Sequence, residues 1–136
     1  MSTISAFLHP ITTVIEKEVV VSNRFLDEKG KPATFKIRAL TQEENEAVAK
    51  AATRVELKNG QRMEYLDNED FVRRLVVAAT VEPDLSSKEL CDAYGVVSPN
   101  MVAVKMLLAG EFNNLVAEIT GLSKVTTQIQ DDDVKN

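Results

Sequence analysis

The sequence predicts an α+β, predominantly helical fold, an N-terminal β-hairpin packed on a bundle of about five short helices. Three observations carry that expectation. The C-terminal half divides into short apolar runs, each started or stopped by its own Pro, Ser or Gly. The segment 18–40 reads as two strand-like stretches around a polar turn. All five glycines (30, 60, 95, 110, 121) and all four prolines (10, 32, 83, 99) fall outside the expected element interiors, the agreement between breakers and periodicity that marks a locally consistent sequence.

In chain order, the hairpin comes first. Val19, Val20 and Val21 are β-branched, and Phe35-Lys36-Ile37-Arg38-Ala39 alternates apolar with charged, the period of a half-buried strand. Between them Asp27-Glu28-Lys29-Gly30-Lys31-Pro32 is turn chemistry. An isolated hairpin is marginal in water, so its apolar face must pack on helices. Thr41 and Glu44 form a capping box opening the next helix, whose stripe is Val48, Ala51, Ala52 and Val55. Residues 56–66 admit two readings. Asn59-Gly60 between Val55/Leu57 and Met63/Tyr65 suits a second small hairpin. A polar loop between helices is preferred, because neither arm is rich in β-branched residues.

Asp67 is the expected N-cap of a helix over residues 68–80, with Glu69 and Asp70 near its positive end. Phe71, Val72, Leu75, Val76 and Ala79 make it the candidate central core helix, and Pro83 prevents its continuation. Ser86 with Glu89 reads as a second capping box, and Gly95 as a left-handed stop. Ser98-Pro99 starts a helix carrying Met101, Val102, Met106 and Leu107 that ends near Gly110. Glu111 then opens the last helix, with Phe112, Leu115, Val116 and Ile119 inward and Gly121 closing it. Residues 1–122 are expected as one globular domain (hairpin 18–40, helical part 41–122), followed by a polar, disordered tail over 123–136.

Composition narrows the functional classes. At 136 residues, 44% apolar and 27% charged, the chain has the make-up of an ordinary globular protein. The 16 Lys and Arg are scattered among 21 Asp and Glu, for a net charge of −5. A nucleic-acid binder needs a basic stripe for phosphate neutralisation, so nucleic acid is not an expected partner. No uncharged run reaches the roughly 18 residues that span a bilayer, and Met1 to Pro10 lacks the basic start and long apolar stretch of a signal peptide. A cytoplasmic location follows as the expectation, with no membrane partner.

No catalytic, cofactor or metal site is expected. Cys91 stands alone and reads as a small buried hydrophobe. One Cys and one His, His9, cannot supply the roughly four ligands of a zinc site. Asp131-Asp132-Asp133 lacks the glycine and spaced ligands of a calcium loop. Glu43, Glu44 and Glu46 suit the positive first turn of a helix rather than paired acid–base work. There is no Gly-rich phosphate loop and no Gly-x-Ser-x-Gly elbow. The one soft, adaptable cluster is Met101, Met106, Leu107 and Phe112. At helical spacing it reads as core, yet Met-rich faces also re-pack against varied partners. With Leu85, these residues are the candidate partner-binding set.

The order of several short segments resembles the XkdN-like tail assembly chaperones of tailed bacteriophages and prophages. The resemblance runs through Ala6-Phe7-Leu8, Val21-Ser22-Asn23-Arg24-Phe25, Asp27-Glu28-Lys29-Gly30-Lys31-Pro32 and Ile37-Arg38-Ala39-Leu40-Thr41. It continues over Glu43-Glu44, Lys50 with Thr53, Thr80-Val81-Glu82-Pro83-Asp84-Leu85 and Glu89-Leu90. It closes on Asp92-Ala93-Tyr94-Gly95-Val96 and Met106-Leu107-Leu108-Ala109-Gly110-Glu111-Phe112. No single motif is diagnostic; their order and spacing carry the likeness, while the tail after Leu122 matches nothing in it.

The resemblance implies a non-enzymatic assembly factor that coats the tape measure protein, keeps its apolar helices from aggregating and helps recruit tail tube protein. It also implies absence from the finished virion, and in some relatives a frameshifted, longer product. The expected partners are therefore the tape measure and tail tube proteins, with self-association a further possibility. Two other classes compete. A structural tail completion or adaptor protein would be found in the particle. A regulator binding DNA through the Ser98-Pro99 helix is disfavoured, since Lys105 is that helix's single cation.

Overall fold

The computed structural model describes residues 4–10 and 15–123. The elements run α1 (Ser5–Leu8), β1 (Glu16–Val19), β2 (Phe35–Arg38), α2 (Gln42–Ala51), β3 (Thr53–Lys58) and β4 (Gln61–Leu66). They continue with α3 (Asn68–Ala79), β5 (Thr80–Glu82), α4 (Lys88–Ala93), a 3-10 turn (Pro99–Met101), α5 (Val102–Met106) and α6 (Ala109–Leu122).

The first hairpin forms as an antiparallel pair, Glu16 facing Arg38 and Val19 facing Phe35. Its strand starts two residues before the expected Glu18 and ends at Val19, so Val20 is exposed and Val21 buried outside the ladder. The alternation in β2 is obeyed: Phe35 and Ile37 are buried, while Lys36 and Arg38 face their cross-strand partners Glu18 and Glu16. The expected turn holds at its tip, where Asp27 Oδ1 accepts the Lys29 and Lys31 amides and Gly30 takes φ +79°.

The fold is mixed α and β rather than a hairpin on an all-helical bundle. Residues 41–122 do contain five helices, α2 to α6, but three strands interrupt them. β5 was not anticipated. It pairs antiparallel with β2, giving a three-stranded sheet of order β1-β2-β5 with a register irregularity between Lys36 and Ile37. Strand pairing, not Pro83, ends α3, because Thr80 leaves the helix in extended conformation to join β2.

Residues 56–66 form a hairpin, which overturns the preference for a loop. Asn59 and Gly60 both take positive φ, 53° and 78°, as a type I′ turn requires. The turn dipeptide outweighs the weak strand propensity of the arms. One consequence is that α2 stops at Ala51, and Val55, assigned to its apolar stripe, lies exposed on β3.

The helix caps follow the expected residues in part. The Thr41/Glu44 box is present in both directions (3.1 and 3.0 Å), and Asp67 accepts the Asp70 amide at 3.1 Å. The N-cap of α4 is Ser87 rather than Ser86, whose own amide is held by Asp84 Oδ1. Gly95 (φ 67°) does end α4, with Val96 N–H reaching Cys91 O and Gly95 N–H reaching Asp92 O. Gly110 and Gly121 lie inside α6, not beyond helix ends; α5 already stops at Met106, and Leu107-Leu108 form an extended break.

The core gathers Phe35 and Ile37 from β2, Val76 and Ala79 from α3, Leu85, Cys91, Val102 and Ala103, and Leu115, Ile119 and Leu122 from α6. α3 is the central helix, as expected, but Val76 and Ala79 face fully inward, whereas Leu75 is only half-buried at the flank. The expected tail beyond Ser123 lies outside the described residues.

Candidate functional site

The start of α3 and the α5–α6 junction do not close on each other. Between them runs an open groove of about 590 Å³ lined by Val72, Val104, Leu107 and Phe112, with Asn68, Glu69, Arg73, Ala109 and Asn113 at its edges. It arises locally. The wide apolar stripe of α3 exceeds the width its packing covers, so Val76 and Ala79 are enclosed while Val72, a turn earlier, is left half-buried. On the opposite wall, the break at Leu107-Leu108 reorients the chain, so that α6 brings Phe112 beside Leu107. Arg73 leans toward Glu69 at 3.7 Å, one turn away, giving the edge paired charge above an apolar floor.

A polar clamp fixes that junction. Arg24, in the long β1–β2 connection, donates from Nη2 to the Met106 carbonyl (3.1 Å) at the negative end of α5. Its Nε donates to Glu111 Oε2 at 3.2 Å, and its Nη2 also pairs with Glu111 Oε1. Glu111 Oε1 in turn accepts the Leu108 amide (2.9 Å), capping α6 from its third position. Arg24 above all, then Ser22 and the Leu108 amide, hold the Glu111 carboxyl down to about 2. Arg24 also lies over the Phe25 ring, 5.0 Å from its centroid. Lys17 Nζ reaches Glu118 at 2.8 Å and ties β1 to the same helix.

The structure distributes the five candidate partner-binding residues. Leu107 and Phe112 meet in the groove. Met106, mostly buried, lines a separate cleft of about 380 Å³ with Phe25, Leu90 and Tyr94. Leu85 is enclosed in the core, and Met101 is half-buried on the 3-10 turn. Cys91 is buried, its Sγ 4.0 Å from the Leu85 carbonyl. His9 follows α1 and is exposed. Among the described residues no three His, Cys, Asp or Glu side chains gather as for a metal ion, and no helix is long and apolar enough to cross a membrane.

Sequence reasoning missed Val72 and Val104 as groove residues: Val72 reads as ordinary helix core, and Val104 is not singled out. It also missed the apolar side chains left exposed on the second hairpin. β3 and β4, between α2 and α3, expose Val55, Leu57 and Leu66 on one face of a ribbon and Met63 and Tyr65 on the other. Its root is pinned by Asp70, whose Oδ2 accepts Arg74 Nε (2.8 Å) and Arg54 Nη2 (2.5 Å). Arg74 first, then Arg54, lowers the Asp70 pKa.

Comparison with known proteins agrees with this architecture. Residues 4–135 match the family described as phage XkdN-like tail assembly chaperone protein. The chain is 29% identical over 130 residues to the phage-like element PBSX protein XkdN of Bacillus subtilis (strain 168), covering 93% of this chain and 88% of that one. It is 31% identical over 118 residues to YqbN of the same organism, covering 85% and 79%. The crystal structure of YqbN superposes with a TM-score of 0.75 at 27% identity, over 90% of this chain and 97% of that one. A match running through nearly every described element, together with a common fold, shows that the chain belongs to the XkdN-like family of phage tail assembly chaperones.

Proposed function

We propose that the chain binds the phage tape measure protein during tail assembly, acting by holding a polypeptide and not by transforming a substrate. The observation that carries this reading is the groove floored by Val72, Val104, Leu107 and Phe112. An amphipathic helix lays its apolar face into such a groove through a few anchors spaced along one side. The polar edge then meets the helix's flanks without a costly buried charge. A tape measure protein offers apolar helical segments in many copies along its length. Modest affinity per site then suffices, because avidity accumulates along the client. The net charge of −5 keeps the loaded complex soluble, and assistance to tail tube assembly follows from a client kept soluble and accessible.

On this reading the chain works in the bacterial host cytoplasm and leaves before the virion is complete. Leu107 and Phe112 contact the client directly, Met106 supports the junction from its own cleft, and Leu85 and Met101 act through packing. Co-expression with the tape measure protein of the same phage tests the proposal. The client's soluble fraction should rise with the parent chain and fall back with Val72→Asp or Phe112→Asp. A client equally insoluble with and without the chain refutes it. Stoichiometric recovery of the chain in purified particles would favour a structural adaptor instead.

A further inference from the structure

Among the described residues the β3–β4 ribbon ends in an unpaired edge, and that edge carries a self-complementary pattern. We infer that β4 pairs antiparallel with β4 of a second copy, in one register centred on Met63. The inference stands independently of any client.

The backbone sets which groups are available. Asp67 N–H donates to Ala52 O at 2.9 Å, and Ala52 and Asp67 continue the ladder that pairs Thr53 with Leu66. Antiparallel ladders alternate hydrogen-bonded and non-bonded pairs. Arg54–Tyr65, Glu56–Met63 and Lys58–Gln61 are therefore the bonded pairs within the ribbon. The N–H and C=O groups of Arg62, Glu64 and Leu66 point away from β3, and every β4 residue is exposed. Such an edge is a template for another strand unless it is blunted. β4 contains no proline, and its sequence pairs with β3 residue for residue to the turn.

Charge then selects the occupant and the register. A two-fold axis perpendicular to the sheet must pass midway between one outward-paired or intervening residue of β4 and its copy. Centred on Arg62 or on Glu64, it would oppose like charges, and centred on Tyr65 it would set Glu64 against Leu66 with no opposite charge across the ladder. Centred on Met63, it sets Arg62 against Glu64 of the second copy and Glu64 against that copy's Arg62. Both are hydrogen-bonded pairs built from the outward-facing backbone groups, and opposite charges directly across a ladder are favourable. Met63 meets its own counterpart, and Tyr65 lies across from Gln61. In the single chain Arg62 and Glu64 lie 3.3 Å apart on one face, both well exposed, so the exchange needs no buried charge. The β3 edge is less free: Thr53 Oγ1 is bonded to Ala49 O, and Arg54 to Asp70 and Ala51 O. Two short ribbons joined at an edge bury less than the roughly 1,200–2,000 Å² of a standard interface, which makes the dimer weak and reversible.

Charge reversal and crosslinking test the register. In the full chain, Met63→Cys should oxidise to a disulfide dimer. The non-bonded pair places the two Cα atoms about 4.5 Å apart, within disulfide range, and the native Cys91 is buried. Carried into that background, Arg62→Glu alone and Glu64→Arg alone should each lose the crosslink. The double reversal should regain it, and a mixture of the two single variants should give the heterodimer. Circular dichroism checks that each variant is folded. Failure of Met63→Cys to dimerise overturns the inference. So does crosslinking insensitive to both reversals, or a Val55→Cys dimer forming in its place.

Discussion

Leu115→Ala separates the load carried by the core from the work assigned to the groove. Leu115 is 0% exposed at the middle of α6, packed in the cluster that joins α6 to α3 and β2. Truncation removes three carbons from an enclosed site, costing their transfer from water plus the cavity left behind. Buried Leu→Ala changes cost about 2–5 kcal/mol. Complete enclosure from two helices and a sheet resists collapse and favours the upper half. For a chain of this length, each kcal/mol lowers Tm by about 3–5 °C, so a fall on the order of 10 °C is expected. Phe112, one turn earlier, is half-buried at the groove. Phe112→Ala should lower Tm clearly less, yet abolish client solubilisation that Leu115→Ala retains at low temperature. The assays are thermal denaturation followed by circular dichroism and the soluble fraction of co-expressed client. Equal Tm losses for the two variants, or a Leu115→Ala midpoint within about 2 °C of the parent, would refute the division of roles.

Among the described residues Thr80 Oγ1 is buried without a hydrogen-bond partner, so Thr80→Val should stabilise by about 1–3 kcal/mol, read as a raised denaturant midpoint with unchanged slope. Glu44 is held at about 2, chiefly by the Arg38 guanidinium (Nη2 at 2.6 Å, Nη1 at 3.0 Å) and then by its place in the Thr41 box. Because the folded carboxyl binds its proton later than the unfolded one, its contribution is complete above pH 4.5 and is lost as pH falls from there toward 2. Glu44→Gln should flatten the Tm–pH curve in that window and leave the neutral side parallel to the parent. Thr41→Ala should cost about 1 kcal/mol by removing the cap on the Glu44 amide, measured by urea unfolding. Gly60→Ala forces a side chain onto φ 78° and should destabilise by about 1 kcal/mol or more, visible as faster amide exchange along β3 and β4.

Local codes were legible in the residues themselves. Thr41-x-x-Glu44, Asp67 and Gly95 satisfy backbone groups within a turn or two, so they mark α2, α3 and the end of α4 whatever surrounds them. The alternation of Phe35 to Arg38 likewise reports a strand with one buried side. The ordered resemblance was legible as well, and the family match bears it out. Asn59-Gly60 carried the second hairpin in plain view, because turn chemistry outweighs the weak strand propensity of the arms.

Other features exist only in three dimensions. β5 has three residues and no periodicity to read; β2, more than forty positions earlier, makes it a strand by supplying the missing ladder. Gly110 and Gly121 sit inside α6 because packing on the core outweighs the helix penalty of about 1 kcal/mol each. The groove follows the same rule. Val72 and Val76 share one helix face and one side-chain type, and nothing in the chain's order says which is covered. That choice belongs to the tertiary packing that encloses Val76 and leaves Val72 at the groove. Periodicity tells a side chain which way to face, and only the distant surface that arrives there decides whether it is buried or left open to a partner.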